Sequence, residues 1–565
     1  MSLRFRAVVA LALAVTPVLS AQTPDTGTSM HMPGMGPAMP IPMPPGMVMM
    51  PGLVGLTPPV TAFRPGGGID MAALPDAKPM APVMLRAGDT LDLSAMLVRR
   101  TIRGRAFVGY GFNGEVPGPI LRIPQGGTVA VRFHNRIDLP SSIHWHGIRL
   151  DNRFDGVPGL TQPTLAPDSI FTYLVHAPDA GVFWYHPHER EDIEQALGLA
   201  GGILVQSADS GYYGPANQEQ VLVLSDLLIN GDTLIPFGKE TPDFALMGRV
   251  GNVLLVNGLP DYRLPVHQGE VVRFFLINAS SSRTYNLSFG GAPIKVVAGD
   301  VSRFEREARV ESVVIGPAER YVVEVRFPRA GSYPVTNQVQ TINHFVGEFR
   351  PEVDTLGSVE ADGTAAAPDL VSSFDVLRAN RAVSQDIDRY RAAMDREPDK
   401  RLTLTMATHG LALPTAQFMS IDTAYFAPVE WSDAMPDMNW LSTADQVQWE
   451  LKDDATGKTN MDIDWHVPAG SMVKVRIFND NKSFHPMQHP IHLHGQRMLV
   501  VARDGVKTTD FVWKDTILIP VGSTVDILVD ASNPGAWMMH CHIAEHLGAG
   551  MMAVMHVDPR QKPSK

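Results

Sequence analysis

The sequence predicts an all-β fold of three consecutive antiparallel β-sandwich domains, and three observations carry that prediction. Beyond an N-terminal leader, the chain consists of short alternating or β-branched apolar runs bounded by Gly, Pro, Asn and Asp. A frame of Gly-x-x-Val-x-apolar-x-apolar-x-Asn recurs three times, as GGTVAVRFHN (126–135), GEVVRFFLIN (269–278) and GSMVKVRIFN (470–479). After each copy comes a motif with an aromatic residue two places beyond a glycine: GVFWYHPH (181–188), GSYPVTNQ (331–338) and GAWMMHCH (535–542). Period 2 gives each frame copy one buried face, so each is a strand, and three copies mean three related sandwiches.

The length of 565 residues agrees, because a single hydrophobic core stops growing near about 250–300 residues and two to four domains are expected. An apolar fraction of 44% with 19% charged residues excludes global disorder. A net charge of −12 without a sustained Lys/Arg run leaves no footprint for phosphate backbones, so nucleic acid is excluded as a partner.

Taken in order, residues 1–21 form a secretory signal: Arg4 and Arg6, an apolar run over 7–19, then Ser20 and Ala21. The run is too short to span a membrane, and no other uninterrupted apolar run approaches about 18 residues. A periplasmic or secreted, soluble and monomeric protein is expected. Residues 22–82 precede the first sandwich, and 23–68 is a Met/Pro/Gly-rich stretch without hydrophobic period, expected to be mobile. The sandwiches are expected at 83–212, 213–372 and 401–560. Residues 373–400 read as a solvated linker containing a short helix.

Histidines distinguish the domains. His-x-His occurs at His144/His146, His186/His188, His492/His494 and His540/His542, whereas the corresponding middle motif ends in Thr336, Asn337 and Gln338. Random placement of 19 histidines would give about 0.6 such pairs, so the four form a set. On a strand, residues i and i+2 share a face, so each pair offers two imidazoles side by side. Two pairs fall in the first domain and two in the third, which puts the expected site at their interface.

The single cysteine, Cys541, lies between His540 and His542. It cannot form an internal disulfide, and an exported free thiol is an oxidation hazard, so a ligand role is expected. Alternation turns Cys541 away from its two neighbours, toward a second metal, and makes it a covalent bridge between two centres. His489, His546 and Met551 are available to complete a His2Cys-Met set, the donor set of blue-copper electron transfer. Zinc is the alternative metal for Cys/His ligands, although ten histidines exceed what a structural zinc needs.

The motifs HWHG, WYHPH, HPIHLHG and HCHIAEHLGAGM resemble, in order and spacing over about residues 83–560, the four copper signatures of the multicopper oxidases, a laccase-like family of three cupredoxin domains. The resemblance implies cupredoxin-like Greek-key sandwiches and four coppers. His489, Cys541 and His546 would hold the type 1 copper with Met551 axial, and His144 and His492 the type 2 copper. His146, His186 and His542 would hold one type 3 copper, and His188, His494 and His540 the other. It further implies one-electron oxidation of a donor at type 1 and four-electron reduction of dioxygen to water at the other three coppers. Asp155 resembles the family's carboxylate beside that trinuclear cluster, against the alternative of an ordinary Asp-Gly turn. Some relatives place a glutamate directly after the second type 1 histidine. Here Leu547 stands there, and Glu545, one residue before His546, reads as a supporting or surface residue.

The donor is less specified. Phenols or aromatic amines are the first expectation, with an axial methionine favouring easily oxidised donors. Cu(I) is the alternative, motivated by Met30, Met32, Met35, Met39, Met43, Met47, Met49 and Met50 in the leader, and a non-enzymatic copper-binding or assembly protein is a third reading. His485 and Met487 are expected to pack beside type 1. His31, His134, His176, His267, His344, His409, His466 and His556 lack a paired sequence context and read as surface or core residues.

Overall fold

The structure, a computed structural model, describes residues 40–43, 53–231, 233–343, 348–413, 415–416 and 436–560. The expected signal segment, His31, His344 and most leader methionines lie outside the described residues. Three pairs of β-sheets follow one another along the chain, of four and five, six and five, and six and five strands. In each pair the recurring frame lies in one sheet and the second motif in the other.

The frame occupies the same place each time. Thr128–Arg136 pairs parallel with Thr90–Ile102 and antiparallel with Ile170–His176. Val271–Asn278 repeats this with Gln218–Leu227 and Arg320–Arg326, and Ser471–Asn479 with Lys400–Thr408 and Thr524–Ala531. The sheets are therefore mixed rather than purely antiparallel. Residue alternation reports which face is buried and is blind to the direction of the neighbouring strand.

The invariant end of the frame has a physical reason. Asn135 Nδ2 donates to the Leu139 and Leu165 carbonyls, Asn278 Nδ2 to Arg283 and Ile315, and Asn479 Nδ2 to Met487 and Ile519, each pair at 2.7–3.0 Å. One buried amide thus ties two backbone carbonyls together where the chain leaves the sheet. Each sandwich has an aliphatic and aromatic core, marked by Trp145 and Tyr185, by Phe274 and Phe289, and by Trp449 and Trp537, and the first continues into residues of the third such as Leu499 and Trp513.

Two expectations change. The described part of the leader is docked: Ala62–Phe63 pairs with Phe237–Gly238, and the Gly66 N–H donates to Asp138 at 2.7 Å. Ile41 and Leu53 are buried in the cluster that contains Cys541 and Met551. Isolated apolar residues among prolines and glycines have no period to betray them, yet fill a neighbouring groove. The 373–400 segment is likewise not a solvated connector. Helices lie at Val371–Asp375, Arg381–Asp388 and Arg391–Met394; Ile387 is buried, and Asp386 accepts from Arg497 (2.7 Å) and the Trp513 indole (2.9 Å).

Candidate metal centre

Four strands carry the histidine pairs: β1 (His144–His146), β2 (Gly181–His186), β3 (His489–Leu493) and β4 (Gly535–Cys541). Within the sheets His144 stands opposite His186, and His492 opposite His540. The middle sandwich has Ser288 opposite Thr336 at the corresponding register, their hydroxyls 2.8 Å apart. The eight histidines converge in three donor groups, His144/His146/His492, His146/His186/His542 and His188/His494/His540, with ligand atoms in each within 4.8 Å of one another. Every group mixes residues of the first and third sandwiches.

The outer nitrogens are already committed. Nδ1 of His144, His186, His492 and His540 donates to the carbonyls of Asp155, Pro187, Asp515 and Cys541 at 2.8–3.0 Å, and Nδ1 of His494 to the Asp155 carboxylate at 2.9 Å. Those oxygens only accept, so Nε2 of each ring presents a lone pair inward. His146 is reversed: Nε2 faces Asp515 (3.1 Å) and Thr516 (3.0 Å), which leaves Nδ1 inward. The inward nitrogens of His494 and His540 are then 3.0 Å apart, and those of His146 and His186 3.4 Å. Lone pairs at that distance repel unless a cation lies between them. Nε2 of His144, His188 and His492 and both nitrogens of His542 are buried without a protein partner. Burial holds His146, His186, His188, His494, His540 and His542 well below the ordinary imidazole range, in the neutral form a metal ligand requires.

A fourth group is His489, Cys541 and His546. Cys541 Sγ lies 3.5 Å from His489 Nδ1 and 3.7 Å from His546 Nδ1, and those two nitrogens are 3.3 Å apart. Burial pushes the thiol up, so a thiolate there needs a neighbouring cation, and it pushes His489 down to about 3. Met551 is fully buried in the same core cluster, with its N–H bonded to the His546 carbonyl and its carbonyl accepting from Cys541 N–H. His485 and Met487 are buried close by in the chain. Thiolate, two imidazoles and a thioether form a soft set that suits copper.

The surrounding shell joins Asp155, which the motifs already singled out, to residues that motif reading does not reach: Asp515, Arg320, Glu191 and Glu194. Asp155 is fully buried, serving His144 through its carbonyl and His494 through its carboxylate. Asp515, 3.1 Å from His146, forms two hydrogen bonds with Arg320 of the middle sandwich. Burial drives the Asp515 carboxyl up, but the Arg320 charge and hydrogen bonds outweigh it and hold it well below the carboxylate range. Gly147 (φ +84°) closes HWHG because a Cβ there would strike this ion pair, and Gly495 (φ +58°) closes HLHG against the Trp537 ring. Glu545 is buried rather than exposed, accepts from the Ser282 hydroxyl at 2.9 Å, and is pushed up to about 8 by burial. Glu191, 3.5 Å from His188, and Glu194 are also buried and pushed up by burial.

The outer edge of His546 is covered. Its Nε2 donates to the Leu246 carbonyl at 3.3 Å, and Trp449 stacks on the ring at 4.3 Å. The strap 244–248 is pinned by the Leu246 N–H to Ser442 (3.1 Å), the Met247 N–H to Asn439 (2.9 Å), Asn439 Nδ2 to the Gly248 carbonyl (2.9 Å) and the Trp449 indole to the Ala245 carbonyl (2.8 Å). Sequence reading missed these residues because they lie far apart in the chain and no short motif joins them.

Comparison with known proteins agrees with this geometry. Family models described as multicopper oxidase match residues 99–210, 184–350 and 431–561. The chain is 26% identical to Laccase-1 of Fomitopsis schrenkii over 80% of its own length and 83% of that protein. It is 24% identical to the copper resistance protein A homolog of Pseudomonas syringae pv. tomato, over 84% and 93% of the two chains. The crystal structure of a multicopper oxidase from Pseudomonas thermotolerans superposes with a TM-score of 0.60 at 25% identity, covering 83% of this chain and 100% of that one.

Proposed function

The chain belongs to the multicopper oxidase family, and from that premise we propose that it couples one-electron oxidation of phenolic or aromatic donors to four-electron reduction of dioxygen to water. The observation that carries this reading is the joining of two donor groups by a single peptide: Cys541 faces His489 and His546, while His540 and His542 face the eight-histidine set. His489, Cys541, His546 and Met551 would hold type 1 copper, and His144 and His492 type 2. His146, His186 and His542, and His188, His494 and His540, would hold the two type 3 ions. Copper bound there would supply one-electron redox chemistry.

The chain's own groups do the rest. Carbonyls of Asp155, Pro187, Asp515 and Cys541 fix the tautomer and orientation of the imidazoles. Asp155, buried against His144 and His494, would relay protons at its carboxylate. The burial of all eight imidazoles excludes bulk water from the oxygen-reducing side.

A second reading, oxidation of Cu(I) or another small metal ion, is favoured by the covered edge of His546 and fits the relative named for copper resistance. Among the described residues no helix is long and apolar enough to cross a membrane, and export as a monomer by the 1–21 segment is part of the proposal. Dioxygen consumption by the four-copper protein with 2,6-dimethoxyphenol and with Cu(I) tests the function. Dominant phenol turnover establishes the first reading, dominant Cu(I) turnover the second, and no consumption with either rejects the oxidase.

A further inference from the structure

Outside the centre just described, the third sandwich carries a second cluster of histidine and aspartate side chains. Strands Asp464–Pro468 and Met552–Asp558 run parallel with His466 directly opposite His556, and their imidazoles stack at 4.5 Å with 8° between planes. Asp464 lies two residues before His466 and Asp558 two after His556, so alternation puts all four on one outward face. Asp464 Oδ1 is 3.2 Å from His466 Nε2, and Asp558 Oδ2 is 3.0 Å from His466 Nδ1. His466 is 52% exposed, Asp464 68% and Asp558 52%, so the face is open to an ion from solution.

We propose that Asp464, His466, His556 and Asp558 form a surface site for one divalent late transition-metal ion, with Cu(II) bound more tightly than Zn(II). Two imidazoles and two carboxylates make an N2O2 set, which suits tetragonal Cu(II), and at a common N/O site Cu(II) outranks Zn(II). The parallel ladder holds the two histidines in register, so only rotation about side-chain bonds is needed to turn one nitrogen of each ring toward a shared ion. The site is rigidly linked to the buried centre, because the strand bearing His556 starts directly after Met551. Five residues of extended chain separate the two by about 16 Å. No histidine pair is visible in the sequence here, since the partners are 90 residues apart.

The proposal is independent of the electron donor, and its test is metal stoichiometry. Protein carrying its four coppers is titrated with Cu(II) and followed by calorimetry and electron paramagnetic resonance. One further equivalent is expected, with an axial signal split by two nitrogens. It is lost in the His466→Ala/His556→Ala variant, which keeps its four coppers and its oxidase rate. Asp558→Asn is expected to weaken binding roughly tenfold, and Zn(II) to compete less well than Cu(II). Absence of a fifth equivalent, or its persistence in the double variant, overturns the assignment.

Discussion

Arg320 and Asp515 face each other through two hydrogen bonds of 2.6 and 2.5 Å, fully buried, with the same carboxylate 3.1 Å from the ring of His146. The middle sandwich, which has hydroxyls where its neighbours have imidazoles, thereby reaches the histidine centre through one aspartate. Removing one member of a buried ion pair strands the other charge, so Arg320→Leu is expected to cost about 3–5 kcal/mol of stability in urea denaturation. Arg320→Met with Asp515→Leu removes both charges and is expected to regain most of that loss. The double variant leaves His146 Nε2 only the Thr516 hydroxyl in place of the carboxylate, so its affinity for copper at that group is expected to fall about 10–100-fold by chelator competition. Full copper affinity in the double variant would show that Asp515 does not orient His146.

Cys541→Ser separates the two roles of the bridging residue. A hydroxyl fits the thiol's space but gives no soft thiolate. The variant is expected to lose its intense blue absorption and to drop from four coppers to three by metal analysis. Oxidase activity is expected to fall to background, with circular dichroism unchanged. Retention of both colour and turnover would refute the bridge.

The proposed ligands are legible in the sequence because their signal is local: His-x-His on a strand is a statement about one face, and four copies exceed chance. The recurring frame announced three related sandwiches for the same reason. Its terminal asparagine was visible as a letter, but its double carbonyl bond was not, since Leu165, Ile315 and Ile519 arrive from other segments of the chain. Asp515, Arg320 and the 244–248 strap were illegible because each acts across a domain boundary. Ile41 and Leu53 hid in a proline-rich leader whose composition argued for mobility, and Glu545, read as either a supporting or a surface residue, could not be placed because its partner Ser282 lies in the middle sandwich.

The strap over His546 predicts a donor preference. Asn439 holds it at both the Met247 N–H and the Gly248 carbonyl, and Ser442 accepts from the Leu246 N–H. A buried hydrogen bond is worth about 1 kcal/mol, or about fivefold in a rate. Ser442→Ala is therefore expected to raise kcat/KM for a bulky phenol by about fivefold while leaving that for Cu(I) within about twofold. Equal changes for both donors would mean that the strap does not screen access to the His546 edge.

Glu194 gives the fold a definite response to pH. Burial pushes its carboxyl well above the usual range, assisted by the charges of Glu189 and Asp192 and opposed by the Ser141 hydroxyl at 2.6 Å and by Arg190. A carboxyl raised in the folded state keeps its proton where the unfolded chain has lost it, so folding is favoured by low pH in that window. Its contribution is complete below the unfolded value, near 4.5, and is lost as pH rises toward the raised folded value. The slope for one such proton cannot exceed about 1.4 kcal/mol per pH unit. Glu194→Gln retains the shape and cannot ionise, so its stability is expected to decline less between pH 5 and pH 8 than that of the parent protein in parallel urea titrations. Identical pH profiles would mean that Glu194 is already ionised in the folded protein.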